Sequence, residues 1–176
     1  MLLTFVLLVR AGAAHGAAGP IITEFSVQPN PSPSSITAGP DGNLWLILSA
    51  TQVGVMTTAG KLIDTISLPQ PPPTFFPPFL GNFDSVNNIV TGPDGNLWFC
   101  EGLTPKIGRL TPDGDITEFP VPSTSDATSS PGGITAGPDG ALWFTDAGAR
   151  SIGRITTDGQ MQMYPLGHNH SPISIT

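Results

Sequence analysis

Gly39-Pro40-Asp41-Gly42-Asn43-Leu44-Trp45 recurs as Gly92-Pro93-Asp94-Gly95-Asn96-Leu97-Trp98, and again as Gly137-Pro138-Asp139-Gly140-Ala141-Leu142-Trp143. All three tryptophans of the chain occupy this one repeat position. A second signature follows each copy: Val53-Gly54-Val55-Met56-Thr57-Thr58-Ala59-Gly60, then Ile107-Gly108-Arg109-Leu110-Thr111-Pro112-Asp113-Gly114, then Ile152-Gly153-Arg154-Ile155-Thr156-Thr157-Asp158-Gly159. Successive copies start 53 and 45 residues apart, and the excess in the first interval is an insert, Gln70 to Phe83, rich in Pro and Phe. A period of this length is the mark of a repeat architecture.

Each repeat carries two tight turns, Gly-Pro-Asp-Gly and Thr-x-Asp-Gly, with Ala59 in place of the Asp once. In the first turn Pro presets φ, Asp tolerates the next position, and Gly takes the conformation other residues avoid. The turns separate short β-prone runs such as Ile134-Thr135-Ala136, Leu142 to Thr145, Ile152 to Thr156 and Met161 to Tyr164. Four antiparallel strands in about 45 residues are the dimensions of one propeller blade. The predicted fold is therefore all-β, a β-propeller of four-stranded antiparallel blades at about 34–69, 87–120 and 132–165. Partial units flank them. Ile22-Thr23-Glu24-Phe25 matches the outermost-strand run Ile116-Thr117-Glu118-Phe119, and Ser171 to Thr176 matches the start of a repeat at Ser130 to Thr135, so a fourth blade begins at 171–176. Closed propellers need about 4 to 8 blades. Three full blades with partial flanking strands make an incomplete ring, and the expectation is either a piece of a longer protein or copies that self-associate to close the ring.

Composition agrees with turns rather than disorder. The 21 Gly and 20 Pro make 41 of 176 residues, about 23%, just under the level at which composition alone suggests low complexity. Charged residues are only 11%, hydrophobic ones are 39% and mean hydropathy is slightly positive, which supplies apolar surface to offset chain entropy. Six basic residues against 13 acidic ones give a net charge of −7, and the basic ones are scattered, which disfavours phosphate tracking and a nucleic-acid partner. The single cysteine, Cys100, excludes an intramolecular disulfide and a Cys-based zinc motif; it replaces Thr145 of the next blade and reads as a small buried strand residue.

At the amino terminus, Leu2 to Val9 is an apolar run too short to span a bilayer. It has the length of a signal-peptide core, and Gly16-Ala17-Ala18 is an acceptable small-x-small cleavage site. Residues 1–19 are read as a signal segment and the protein as secreted or periplasmic, although Arg10 follows the apolar run instead of preceding it; without export it would be cytoplasmic. No later segment qualifies as a membrane span.

The two turns, together with Leu-Trp-Phe and Ile-Gly-Arg, resemble the repeat of the virginiamycin B lyase (streptogramin lyase) family over about residues 20 to 176. The resemblance implies a seven-bladed β-propeller. It also implies a lyase that linearises streptogramin B-type cyclic depsipeptides, with Mg²⁺ held by carboxylates near the central funnel. Such an elimination needs a His as general base and a cation to stabilise the charge left when the α-proton departs. In the family's pattern that His follows the Pro opening an innermost strand; the matching positions here are Ser34, Asn87, Gly132 and Ile173, none of which can act as the base. His168 and His170 precede the last of these in a Gly-His-Asn-His loop, as solvent-facing residues or weak metal ligands, and His15 lies in the leader segment. No residue is assigned as catalytic and none as a metal ligand; Mg²⁺ is implied by the resemblance only.

Three residues after each Trp stand Leu48, Glu101 and Asp146, and two after the start of each Ile-Gly-Arg strand stand Val55, Arg109 and Arg154. The blade lacking the acid also lacks the Arg. The match predicts ion pairs Glu101–Arg109 and Asp146–Arg154 across adjacent strands, with ligand or metal contact by Glu101 and Asp146 as the alternative. Asn87-Asn88 would face the funnel mouth as hydrogen-bonding ligand residues. The insert Gln70 to Phe83, with Pro71-Pro72-Pro73 and Phe75-Phe76, reads as polyproline II, either a lid on the blade edge or a partner-docking loop. Three functions follow in order: a lyase-like propeller without the elimination machinery, either a fragment of a longer secreted protein whose other blades hold the His and carboxylates or a non-catalytic member; a non-enzymatic propeller that binds a small molecule or protein at its funnel; and a competent Mg²⁺-dependent carbon–oxygen lyase.

Overall fold

A computed structural model of the chain describes residues 23–25, 33–69, 86–102, 104–122, 129–167 and 170–176. The leader segment 1–19, His15, the insert Gln70 to Phe83 and His168 lie outside these residues. Twelve strands are described: β1 (Ser35–Ala38), β2 (Leu44–Ser49), β3 (Gln52–Met56), β4 (Leu62–Ser67), β5 (Val86–Thr91), β6 (Leu97–Glu101), β7 (Lys106–Leu110), β8 (Ile116–Pro120), β9 (Pro131–Ala136), β10 (Leu142–Asp146), β11 (Ser151–Ile155) and β12 (Met161–Pro165). They form three four-stranded antiparallel meanders, β1 to β4, β5 to β8 and β9 to β12, hereafter blades 1, 2 and 3. The all-β, bladed fold expected from the repeats is the fold observed.

Each Gly-Pro-Asp-Gly closes a hairpin of the same build. In blade 2, Gly95 N donates to the Gly92 carbonyl at 3.1 Å and Gly92 N to the Asn96 carbonyl at 2.8 Å, with Gly95 at φ 74°. This is a type I turn followed by a left-handed residue, a place where a side chain is disfavoured. The Thr-x-x-Gly turns repeat the pattern, for example Gly159 N to the Thr156 carbonyl at 2.8 Å and Thr156 N to the Gln160 carbonyl at 2.9 Å.

The pleat sorts side chains between the two faces of a blade. Along β6, Leu97 and Phe99 join Trp45, Ile47 and Val53 in a core between blades 1 and 2. Trp98 and Cys100 point the other way and join Ile134, Leu142 and Phe144 between blades 2 and 3. Blades 1 and 2 thus present their Trp to the following blade, and blades 2 and 3 present the residues flanking it to the preceding one. Burying both faces in this way is what makes a one-blade period cooperative with its neighbours.

The flanking segments lie against the blades without adding strands. Residues 23–25 and 171–176 carry no assigned strand. Yet Phe25 covers Gly60 in blade 1 as Phe119 covers Gly159 in blade 3. Residues Ser174 and Ile175 lie against Gly133, where Asn88 and Ile89 of the next blade lie against Ser35.

Candidate functional site

The innermost strands β1, β5 and β9 lie side by side, and Ser35, Asn88 and Gly133 form the row that adjoins positions Ser34, Asn87 and Gly132. Ser35 Oγ donates to Asn88 Oδ1 at 2.9 Å and accepts the Ile89 N–H at 3.3 Å. Asn88 is therefore half-buried and already engaged by the neighbouring blade. Asn87 is part of β5, and its side chain is outside the described structure. In blade 3 the same row is glycine, Gly132 and Gly133, with Gly133 N donating to Thr145 Oγ1 at 2.9 Å. Thr145 Oγ1 in turn donates to the Ile173 carbonyl at 3.4 Å, which ties the tail to the blade. His170 is exposed, beside Leu166, Ser171 and Pro172 at an open groove.

Glu101 and Asp146 end β6 and β10, and both are fully buried. Asp146 accepts from Ser129 Oγ at 2.5 Å, Ser130 N at 2.8 Å and Ala149 N at 2.9 Å. It therefore pins the entry to blade 3 and the turn at 147–150 to the end of its own strand. Glu101 stands 3.8 Å from Lys106 Nζ, which bonds Glu118 at 2.7 Å.

The expected pairs Glu101–Arg109 and Asp146–Arg154 do not form. In register, Glu101 faces Lys106 and Asp146 faces Ser151, while Arg109 and Arg154 face Trp98 and Trp143. An offset of three residues along a strand puts two side chains on opposite faces of the sheet. Glu101 consequently looks toward blade 1 and Arg109 toward blade 3. The coincidence of acid and Arg in the same two blades has two separate causes.

Arg109 lies over two aromatic rings, its guanidinium carbon 5.9 Å from the centroid of Trp98 and 5.6 Å from that of Phe119. Those rings stack on each other at 5.6 Å. Its Nη1 donates to the Thr157 carbonyl in blade 3 at 3.0 Å, bridging the blades. Arg154 sits 6.0 Å from the Trp143 centroid and pairs with Asp139 through Nε at 2.7 Å.

One role escaped the sequence reading. The Asp of each Gly-Pro-Asp-Gly accepts the indole N–H of the Trp four residues later at 3.0 Å, in all three blades. The constant Asp-x-x-x-Trp spacing is the signal that could have revealed it. For Asp94, burial pushes the pKa up, but hydrogen bonds from Trp98 and Asn96 outweigh it and hold the carboxyl below its ordinary value. Asp139 goes to about 2, through the Trp143 hydrogen bond first and the Arg154 bond second.

Cys100 is fully buried. Burial first, then the negative charges of Asp146 and Glu101, push its thiol far above the usual range, the opposite of what a thiolate nucleophile needs. Among the described residues no three His, Cys, Asp or Glu side chains converge on a point that could hold a metal ion. Among the same residues no helix is long and apolar enough to cross a membrane.

Comparison with known proteins agrees with this blade geometry. Residues 22–176 match the virginiamycin B lyase family. The virginiamycin B lyase of Bordetella pertussis is 41% identical over 39 residues, which is 22% of this chain and 13% of that protein. That of Bordetella parapertussis is 42% identical over 41 residues, 23% of this chain and 14% of that protein. Among solved structures, virginiamycin B lyase from Staphylococcus aureus superposes with a TM-score of 0.73 at 34% identity over 88% of this chain. A catalytically inactive form of the Staphylococcus aureus enzyme with quinupristin gives 0.72 at 32% identity, again over 88% of this chain. The chain spans about half the length, 48%, of each of these two solved enzymes. With the paired turns, the Trp of every blade and the superposition all in agreement over residues 22–176, the chain belongs to the virginiamycin B lyase family.

Proposed function

We propose that this chain is a non-catalytic, lyase-like propeller unit whose blades form part of a binding surface. One observation carries the reading: the row that would hold the base is Ser34, Asn87, Gly132 and Ile173. An elimination needs a group that takes the α-proton at that place. The polar groups on the adjoining row support the same view, because Ser35 and Asn88 are bonded to each other. Binding at the funnel end, beside Asn87 and Asn88, is the use left to such a surface, while Glu101 and Asp146 are buried beneath it. The ligand would be a small molecule or a protein segment. Export rests on Leu2 to Val9 and Gly16-Ala17-Ala18; amino-terminal sequencing of protein recovered outside the cytoplasm reads it directly.

The test is incubation of the 176-residue protein with quinupristin and Mg²⁺ followed by mass spectrometry. The expected result is unchanged cyclic compound. A linear product that disappears with EDTA overturns the proposal and makes the chain a competent carbon–oxygen lyase.

A further inference from the structure

Five Asp-Gly steps lie in the turns of this chain, at Asp41, Asp94, Asp113, Asp139 and Asp158. Such a step can close on itself, because glycine has no Cβ to keep its amide nitrogen away from the aspartyl carboxyl. In four of the five the carboxylate is tied down. Asp41, Asp94 and Asp139 each accept an indole N–H at 3.0 Å. Asn43 and Asn96 add a second bond to the first two at 2.7 Å, and Arg154 adds one to the third, also at 2.7 Å. Asp158 accepts the Thr156 hydroxyl. All four carboxyls lie below their ordinary pKa: at Asp41 and Asp94 burial raises it but the hydrogen bonds outweigh that, while the Trp143 and Thr156 bonds lead at Asp139 and Asp158.

Asp113 differs from the other four. It is exposed, and among the described residues its carboxylate takes no hydrogen bond and no ion pair. Its glycine is open as well. Phe25 covers Gly60 and Phe119 covers Gly159, but the register puts Ile66 at that place on blade 1, and nothing stands within 4 Å of a Cβ on Gly114. Gly42, Gly95 and Gly140 are equally open, so in their turns the carboxylate bonds alone make the difference. The Gly114 N–H donates to the Thr111 carbonyl at 3.0 Å, and the other four glycines donate likewise at 2.8 to 3.3 Å, so that bond does not distinguish the turns. The turn joins β7 to β8 in blade 2, which is flanked by blades 1 and 3.

We propose that Asp113-Gly114 is the chain's site of aspartyl isomerisation, a spontaneous modification that turns Asp113 into an isoaspartyl residue, while the Trp-bonded and Thr-bonded aspartates are protected from it. The Gly114 nitrogen attacks Cγ of the protonated Asp113 carboxyl and an N–Cγ bond forms. The amide proton and the carboxyl OH leave together as water, and a succinimide ring closes. Water then adds at one of the two ring carbonyls. Opening at the former backbone carbon leaves the chain running through Cβ and Cγ, with that carbon released as a free carboxylate. One water is lost and one regained, so mass is unchanged and no co-reactant besides solvent is needed. In the other four turns the carboxylate must first give up its hydrogen bonds, and bonds to a charged group are strong enough to slow the step about tenfold or more. None of this depends on what the funnel end binds or on whether the chain catalyses anything.

The test is prolonged incubation of the folded 176-residue protein at mildly acidic pH, with isoaspartate located by fragmentation mass spectrometry and quantified by enzymatic methylation of the new carboxylate. The expected result is isoaspartate at Asp113 about tenfold or more above that at each of the other four steps. In urea, where the turns are gone, the five rates should converge, because every step then presents the same Asp-Gly pair. Asp113→Glu, whose longer side chain does not close this ring, should remove the folded-state signal. Trp98→Phe keeps an aromatic ring in the core but not the indole N–H, and should raise the Asp94 rate several-fold, with circular dichroism verifying the fold. Isoaspartate absent from Asp113 or spread evenly over the five steps of the folded protein overturns the proposal, as does a preference for Asp113 that persists unchanged in urea.

Discussion

Blades 2 and 3 are built from the same repeat, yet they live in different surroundings. Blade 2 is packed on both faces, against blade 1 through Leu97 and Phe99 and against blade 3 through Trp98 and Cys100. Blade 3 is packed through Leu142 and Phe144, while Trp143 and Tyr164 stack on each other at 5.5 Å on its outward face. Equivalent side chains therefore do different jobs. Arg109 holds the next blade's turn, and Arg154 folds back on Asp139. The difference teaches that a repeat position acquires its energy from the neighbour it meets, as expected where stability is a sum of repeat and interface terms.

The largest effect should separate the two tryptophans. Trp98→Ala removes a fully buried ring from an interblade core and should cost about 3–5 kcal/mol. Trp143→Ala, half-buried, should cost about 2 kcal/mol. Urea unfolding of the two variants checks this, and equal losses would break the comparison.

Next come the turn glycines. Gly114 and Gly159 both have positive φ, 96° and 92°, so an Ala at either is strained by about 1–2 kcal/mol. Only at Gly159 does the added methyl also strike the Phe119 ring, for about 1–3 kcal/mol more; at Gly114 nothing lies within 4 Å. Thermal melts of Gly159→Ala and Gly114→Ala should differ accordingly, and coincident melting temperatures would remove Phe119 from the interface.

A smaller contrast is expected at the arginines. Arg109→Ala gives up two ring contacts and the bond to Thr157, about 1–2 kcal/mol in all. Arg154→Ala should lose less, since its pair with Asp139 is screened by solvent. If Arg154→Ala proves the costlier in urea, the interblade role of Arg109 is wrong.

The smallest effect is a pH dependence. Asp139 has a folded-state pKa of about 2, below its ordinary 3.8. A depressed carboxylate stabilises the fold above its unfolded value and loses that contribution as pH falls through the folded one. Stability should therefore decline between about pH 4 and 2, and Asp139→Asn should flatten part of that decline. A melting temperature that falls equally steeply in Asp139→Asn would assign the loss to other groups, of which Asp41 and Asp94, also depressed, are the first to examine.

Much of the fold could be read from the chain because turn chemistry is local. Gly-Pro-Asp-Gly and Thr-x-x-Gly dictate hairpins through their own φ preferences, and the runs between them have the length of strands. The match of Phe25 to Phe119 was equally legible, and Phe25 covers Gly60 as Phe119 covers Gly159. The side-chain partners were not. Glu101 and Arg109 looked paired because both positions changed together, but the pleat sends them to opposite blades. Asp94 looked like a turn residue alone, and its bond to the Trp98 indole requires the hairpin to fold the chain back first.

By itself, then, the sequence determined the number of repeats, the place of each turn and the strands between them, because these depend on residues close along the chain. Tertiary structure alone decided which face each side chain serves and which blade it meets. Those choices depend on register and on the packing of separate sheets, where the partners of one residue lie a whole repeat away: Arg109 reaches Thr157 across 48 positions.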